Sequence, residues 1–240
     1  MPKSQKQPEP IAPPPGSIVL ASSEHARYTE FTTSMLRTIK LWSLGGVDVG
    51  IAWGTGSDIT GNFNRAIEMM RPQDEWVWIM GDDHVWDEWL LLQLLQHELD
   101  VVVPNVVEKQ APFKPVVYSG IDGKSPEGFD YHVVARLPAT GVHEVFAAGS
   151  AGMLIRRNVI DALERPIFQT SGHYQNEDLN LCAKIRGAGF KIHCDVDARM
   201  GHIGLMNVVP MWSGERWGVA LETGGKYISI TILDGEEETA

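Results

Sequence analysis

The stretch WVWIMGDDHVW, residues 76–86, runs from strongly apolar side chains into two adjacent carboxylates, Asp82 and Asp83, and a histidine. Neighbouring carboxylates repel each other, so a pair at the end of an apolar segment calls for water or for a positive partner. A divalent cation shared with substrate phosphates is one such partner. Mg2+ takes one or two protein carboxylates and keeps water or phosphate oxygens in its other positions, whereas Mn2+ also accepts an imidazole. A solvated turn, or an N-cap for the next helix, is the plainer alternative. A second group lies in NEDLNLCAKIRGAGFKIHCDVDARMGHIG, residues 176–204, where Glu177 and Asp178 precede a helical pattern and His202 closes the stretch. Carboxylates at a helix N-terminus stay ionised in the helix dipole, and an ionised, aimed carboxylate takes the proton of an attacking hydroxyl; simple capping is again the alternative. His202 offers a neutral imidazole to a metal, or serves as a turn residue.

These residues need elements to hold them. SIVLAS (17–22), VDVGIAW (47–53), EWVWIM (75–80) and VVVPNVV (101–107) read as buried strands. Between them, HARYTEFTTSMLRTIKLW (25–42), a helix capped by Asp58 or Thr60, and VWDEWLLLQLLQHELD (85–100) read as helices. The β-α-β-α-β-α-β order predicts an α/β fold: a mostly parallel open sheet flanked by helices. Residues 111–148 hold alternating strand-like runs split by Gly and Pro, which predicts a small antiparallel excursion. AGMLIRRNVIDAL then resumes strand-to-helix, NEDLNLCAKIRGAG is a helix stopped by glycine, and FKIHCD is a strand. Residues 1–16 hold six of the fourteen prolines and read as a disordered leader, 17–233 as one domain, and 234–240 as an acidic tail. A strand's carboxyl end is where ligands bind in open α/β sheets, and Asp82 and Asp83 stand at that edge.

On these motifs the sequence resembles the nucleotide-sugar glycosyltransferases of the GT-A fold, a Rossmann-like architecture, and above all their large family-two group. WVWIMGDDHVW is similar to that group's strand plus D-x-D motif, with Gly81 standing where the first aspartate is usual. The resemblance implies that Asp83 binds the metal together with His202, with Asp82 facing the metal or the ribose. It implies Asp178, with Glu177 as second choice, as general base in an inverting reaction; a retaining reaction would need no such base. GNFNRAIEMM is similar to a short helix beside the nucleotide's base, which makes Asn62, Asn64 and Arg65 candidates, with Ser22, Ser23 and Glu24 at the exit of the first strand. The small residues of AAGSAGMLIRR, Gly149, Ser150 and Ala151, would let donor sugar and acceptor approach the backbone. The implied activity is metal-dependent transfer of a hexose from a UDP- or GDP-sugar to an acceptor hydroxyl on a glycan, lipid-linked sugar, protein or small molecule, with Mn2+ or Mg2+ as cofactor. A metal-dependent nucleotidyltransferase and a non-catalytic sugar-nucleotide or carbohydrate-binding module are the alternatives. SSEHARY, after the first strand, has no glycine-rich phosphate loop of the kind the former favours, and Gly81 supports the latter.

Composition narrows the partners. The net charge is −11 over 240 residues, which argues against nucleic acid. Hydrophobic content of 43% and charged content of 21% suit a globular domain with a sizeable core. Cys182 and Cys194 are the two cysteines and form no CxxC pair, so no zinc knuckle is expected. No apolar run suits a membrane span, and the N-terminal residues lack the apolar region of a secretion signal; the expected location is cytoplasmic.

Overall fold

Among the described residues the elements run in the order β1 (Gly16–Ser22), α1 (Thr29–Leu44), β2 (Val49–Thr55), α2 (Ile59–Glu68), β3 (Trp76–Gly81), β4 (His84–Trp86), α3 (Leu90–Leu95), β5 (Val101–Asn105), β6 (Val117–Ser125), β7 (Gly128–Val133), β8 (Val142–Val145), β9 (Ala147–Ala148), β10 (Leu154–Arg156), α4 (Arg157–Ala162), α5 (Glu177–Gly187), β11 (Ile192–His202), β12 (Asn207–Trp212), β13 (Trp217–Thr223) and β14 (Lys226–Ile230). The structure is a computed structural model that describes residues 13–22, 28–56, 58–111, 113–125, 128–133, 137–170, 176–204, 206–212, 217–223 and 225–230.

The main sheet has the order β2-β1-β3-β10-β5-β11-β4, with β8 also on β11. Strands β2, β1 and β3 are parallel, as are β5 and β11, while β10 is antiparallel to both β3 and β5. The result is a mixed α/β fold with a mostly parallel central sheet flanked by helices. Alternation along β3 divides two cores. Trp76, Trp78 and Met80 pack with Phe31, Met35 and Trp42 of α1 and Leu90, Leu91 and Leu94 of α3. Val77 and Ile79 face the other way, among Phe63 and Ala66 of α2, Val159 of α4 and Leu179 and Ile185 of α5. A strand buried on both faces needs apolar residues at every position, which explains the unbroken run at 76–80. The antiparallel excursion takes the form of a three-stranded sheet, β7-β6-β9. Among the described residues no helix is long and apolar enough to cross a membrane.

Three expectations change. The leader boundary at 16 moves towards the N-terminus: Gly16 belongs to β1, and the Pro14 and Pro15 carbonyls accept hydrogen bonds from the Trp76 indole (3.0 Å) and the Glu75 amide (2.8 Å). The helix expected from 85 begins only at Leu90, because Val85 and Trp86 pair with β11 instead. A third sheet, β12-β13-β14, occupies late residues, beyond the elements that the sequence pattern predicts. Ser23, Glu24 and the tail 234–240 lie outside the described residues, as does most of the leader.

Candidate active site

The turn between β3 and β4 carries Asp82 and Asp83, and the return strand β4 fixes the position of the next side chain, His84. β4 runs antiparallel to the end of β11, with His84 directly opposite His202. Residues opposed in an antiparallel pair share a face, so the two imidazoles stack, with centroids 4.2 Å apart at an interplanar angle of 21°. The Ile203 amide donates to the Asp83 carbonyl at 2.7 Å, fastening the turn to the same strand end. Trp86 anchors β4 from beneath: its indole N–H donates to Thr38 Oγ1 (2.9 Å) and its ring packs edge-on against Trp78 and Phe31.

The side chains of Asp83, His84 and His202 bring one ligand atom each within 4.8 Å of one another. His202 Nδ1 lies 3.2 Å from the Val107 carbonyl. A carbonyl only accepts, so Nδ1 carries the proton, and a neutral His202 turns the Nε2 lone pair outward. That Nε2 is 3.2 Å from Asp83 Oδ2. Two lone pairs facing each other need a cation or a proton between them. His84 is 4% exposed, and neither of its ring nitrogens makes a hydrogen bond, although Nδ1 lies 2.8 Å from Asp83 Oδ1. Burial pushes the His84 pKa down, and nearby Asp83 only partly offsets this. Burial pushes Asp83 up, but its close contacts with His202, His84 and Lys109 outweigh this and hold the carboxyl well below the usual carboxylate range. An ionised carboxylate beside two imidazoles, one with unpartnered buried nitrogens, fits a divalent metal. Two nitrogens and one oxygen suit a transition cation better than Mg2+.

The group opens into a cavity of about 360 Å3 that is lined by Asp83, His84, His202 and Lys109 and also by Glu177, Asp178, Gly149 and Ser150. Asn176 supplies the N-cap of α5, its side chain accepting from the amides of Asp178 (2.8 Å) and Leu179 (3.3 Å). Capping is therefore not what Glu177 and Asp178 do. Burial raises the Asp178 carboxyl to about 6; donation by the Ser150 hydroxyl and amide opposes the rise, and the charge of Glu177 adds to it. Position 149 has no room for a larger residue, since a Cβ there would lie 2.9 Å from Val116 Cγ1 and 3.8 Å from Asp178 Oδ2.

Other sequence candidates sit elsewhere. Asp82 is not part of the ligand group; its Oδ2 accepts from Ser22 Oγ at 2.6 Å, tying the ends of β1 and β3. Asn62 is buried and donates to the carbonyls of Ser22 (2.8 Å) and Gly56 (3.0 Å), so it fastens α2 to the sheet. Asn64 clamps the Phe168 backbone, its Nδ2 donating to the carbonyl at 2.8 Å and its Oδ1 accepting from the amide at 3.0 Å. Arg65 donates to the Thr55 carbonyl at 2.9 Å and to Asn62 Oδ1. None of Ser22, Asp82, Asn62, Asn64 and Arg65 lines the cavity. Asn62, Asn64 and Arg65 satisfy backbone carbonyls, while the Ser22 and Asp82 side chains bond each other. Two charged or polar lining residues escape sequence reasoning. His84 is the last letter of GDDH, and reading VW as helix hides its pairing with His202. Lys109 Nζ lies 3.0 Å from Asp83 Oδ2 and sits in a loop where spacing carries no signal.

No protein-family model matches the sequence, and no curated protein matches it. Solved structures are similar in fold. The chain is 12% identical to GalNAc-T7, solved with UDP, GalNAc and Mn2+, at a TM-score of 0.51 over 80% of this chain and 44% of that one. It is 12% identical to A197 from STIV (TM-score 0.48, 90% of each chain) and 13% identical to the catalytic domain of Drosophila beta1,4-galactosyltransferase 7 solved with xylobiose (TM-score 0.45, 79% of this chain and 71% of that one). The likeness to GalNAc-T7 accords with a GT-A-like fold.

Proposed function

We propose that the chain is a glycosyltransferase that uses a nucleotide diphosphate sugar and a divalent metal. The observation that carries this reading is the convergence of Asp83, His84 and His202 in a cavity that Asp178 also lines. Asp83, His84 and His202 would hold the metal, which when bound neutralises charge on a diphosphate. Asp178, ionised above its raised pKa of about 6, would take the proton of the acceptor hydroxyl. The acceptor oxygen would attack the anomeric carbon as the bond from that carbon to the diphosphate oxygen breaks, the electron pair leaving with the diphosphate. Ser150 holds the Asp178 carboxylate in position, and Gly149 leaves space beside it. The apolar wall of Ile59, Phe63, Val106 and Val116 would limit water around the reacting groups.

The reading is tested with a panel of UDP-, GDP- and dTDP-sugars, each with Mn2+, with Mg2+ or with chelator. Nucleoside diphosphate release is the signal. At least one donor should turn over with Mn2+, faster than with Mg2+, and Asp83→Ala should abolish turnover. Metal-independent release, or an unchanged rate in that variant, would remove the proposal.

A further inference from the structure

The loop joining β5 to β6 contributes two groups to the site. It is a tight excursion, with a bridge between Val107 and Pro115 and a hydrogen bond from the Glu108 amide to the Lys114 carbonyl at 2.9 Å. Its backbone touches the chain just past β11: a Cβ on Gly204 would lie 2.5 Å from the Lys109 carbonyl oxygen, so glycine is required for the two segments to approach. The loop is therefore packed closely against the end of the histidine strand. From it, the Val107 carbonyl orients His202 and the Lys109 ammonium contacts Asp83.

Lys109 meets the same carboxylate oxygen, Oδ2, that faces His202 Nε2. It is also the only Lys or Arg lining the cavity among the described residues, in a protein of net charge −11. A cation taking Oδ2 from the triad would compete with the ammonium for that oxygen. The lysine side chain is about half exposed, on a flexible stem, and lines the cavity.

We infer that Lys109 is a second, mobile cation of this site, which holds the Asp83 carboxylate before metal binds and passes to the diphosphate of the ligand once metal has displaced it. This inference rests on the metal reading proposed above. A diphosphate gains negative charge as its bond to the sugar breaks, and a cation brought to it at that stage stabilises the departing group. Lys109 is on this account a diphosphate-binding residue as well as a competitor of the metal. An ordinary exposed ion pair between Lys109 and Asp83 would have neither consequence.

The two roles pull affinities in opposite directions, which makes them separable. Mn2+ binding is measured by the loss of the free-ion EPR signal, and inorganic pyrophosphate binding to Mn2+-loaded protein by calorimetry. Lys109→Met should bind Mn2+ several-fold more tightly than the parent, and its loaded form should bind pyrophosphate about tenfold more weakly. Lys109→Arg should recover most of the pyrophosphate affinity. Parental affinity for either Mn2+ or pyrophosphate in Lys109→Met overturns the inference while leaving the metal centre standing. A parent chain that takes up no Mn2+ overturns the metal centre and this inference with it.

Discussion

Asp178 is the residue whose chemistry is most exposed to pH. Its carboxyl is raised from an ordinary 3.8 to about 6, chiefly by burial. As general base it works only when ionised, so activity should climb from pH 5 to 7 and level off above. Asp178→Asn should lower kcat by about 10²- to 10⁴-fold and erase that limb; a variant with the parental profile would remove Asp178 from the mechanism. Stability follows the opposite course. Between about 3.8 and about 6 the folded chain keeps a proton that the unfolded chain has released, so stability falls as pH rises across this window and the deficit persists above it. Urea unfolding should therefore show Asp178→Asn more stable than the parent at pH 7.5, by roughly 1 to 3 kcal/mol, with no such gain at pH 4. An equal effect at both values would mean that burial of the charge is not the cause.

At the scale of elements, the site depends on how closely strands and helices approach. Gly54 in β2 shows this: a Cβ there would fall 1.9 Å from the Asn62 carbonyl oxygen, a backbone atom of α2 that cannot swing aside. Gly54→Ala should push α2 off the sheet and cost more than about 2 kcal/mol in a denaturant titration; a loss of under half a kcal/mol would show that α2 has slack against β2. Elements with their own periodicity were legible from sequence. β3, α2 with its Asp58 cap and α5 appear close to where the apolar pattern and capping residues predict them. β4 was not legible, because three residues carry no period and Trp86 reads equally well as the start of the leucine-rich helix. Its identity as a strand comes from β11, more than a hundred residues later. The same limit applies to Asn62, Asn64 and Arg65: their types suit ligand binding, and only the fold reveals that carbonyls of Ser22, Phe168 and Thr55 already occupy them.

For the whole molecule, the main consequence of the fold is that it joins distant chemistry. Asp83 and His202 are 119 residues apart in sequence and 3.2 Å apart in space. Strands β3, β5 and β11 run in the same direction, β4 sets His84 on His202, and Asp178 of α5 also lines the cavity. Asp83 stands out in the sequence at the end of an apolar strand and His202 as the close of the family-like series from Glu177, whereas His84 emerges only from strand pairing. The central claim is that Asp83, His84 and His202 surround one bound cation. Crystals soaked in Mn2+ and measured at the manganese edge test it most directly. One anomalous peak is expected, with a carboxylate oxygen of Asp83, Nε2 of His202 and a ring nitrogen of His84 at about 2.0 to 2.3 Å. A map with no peak among these three side chains, at a Mn2+ concentration that supports donor turnover, would contradict it.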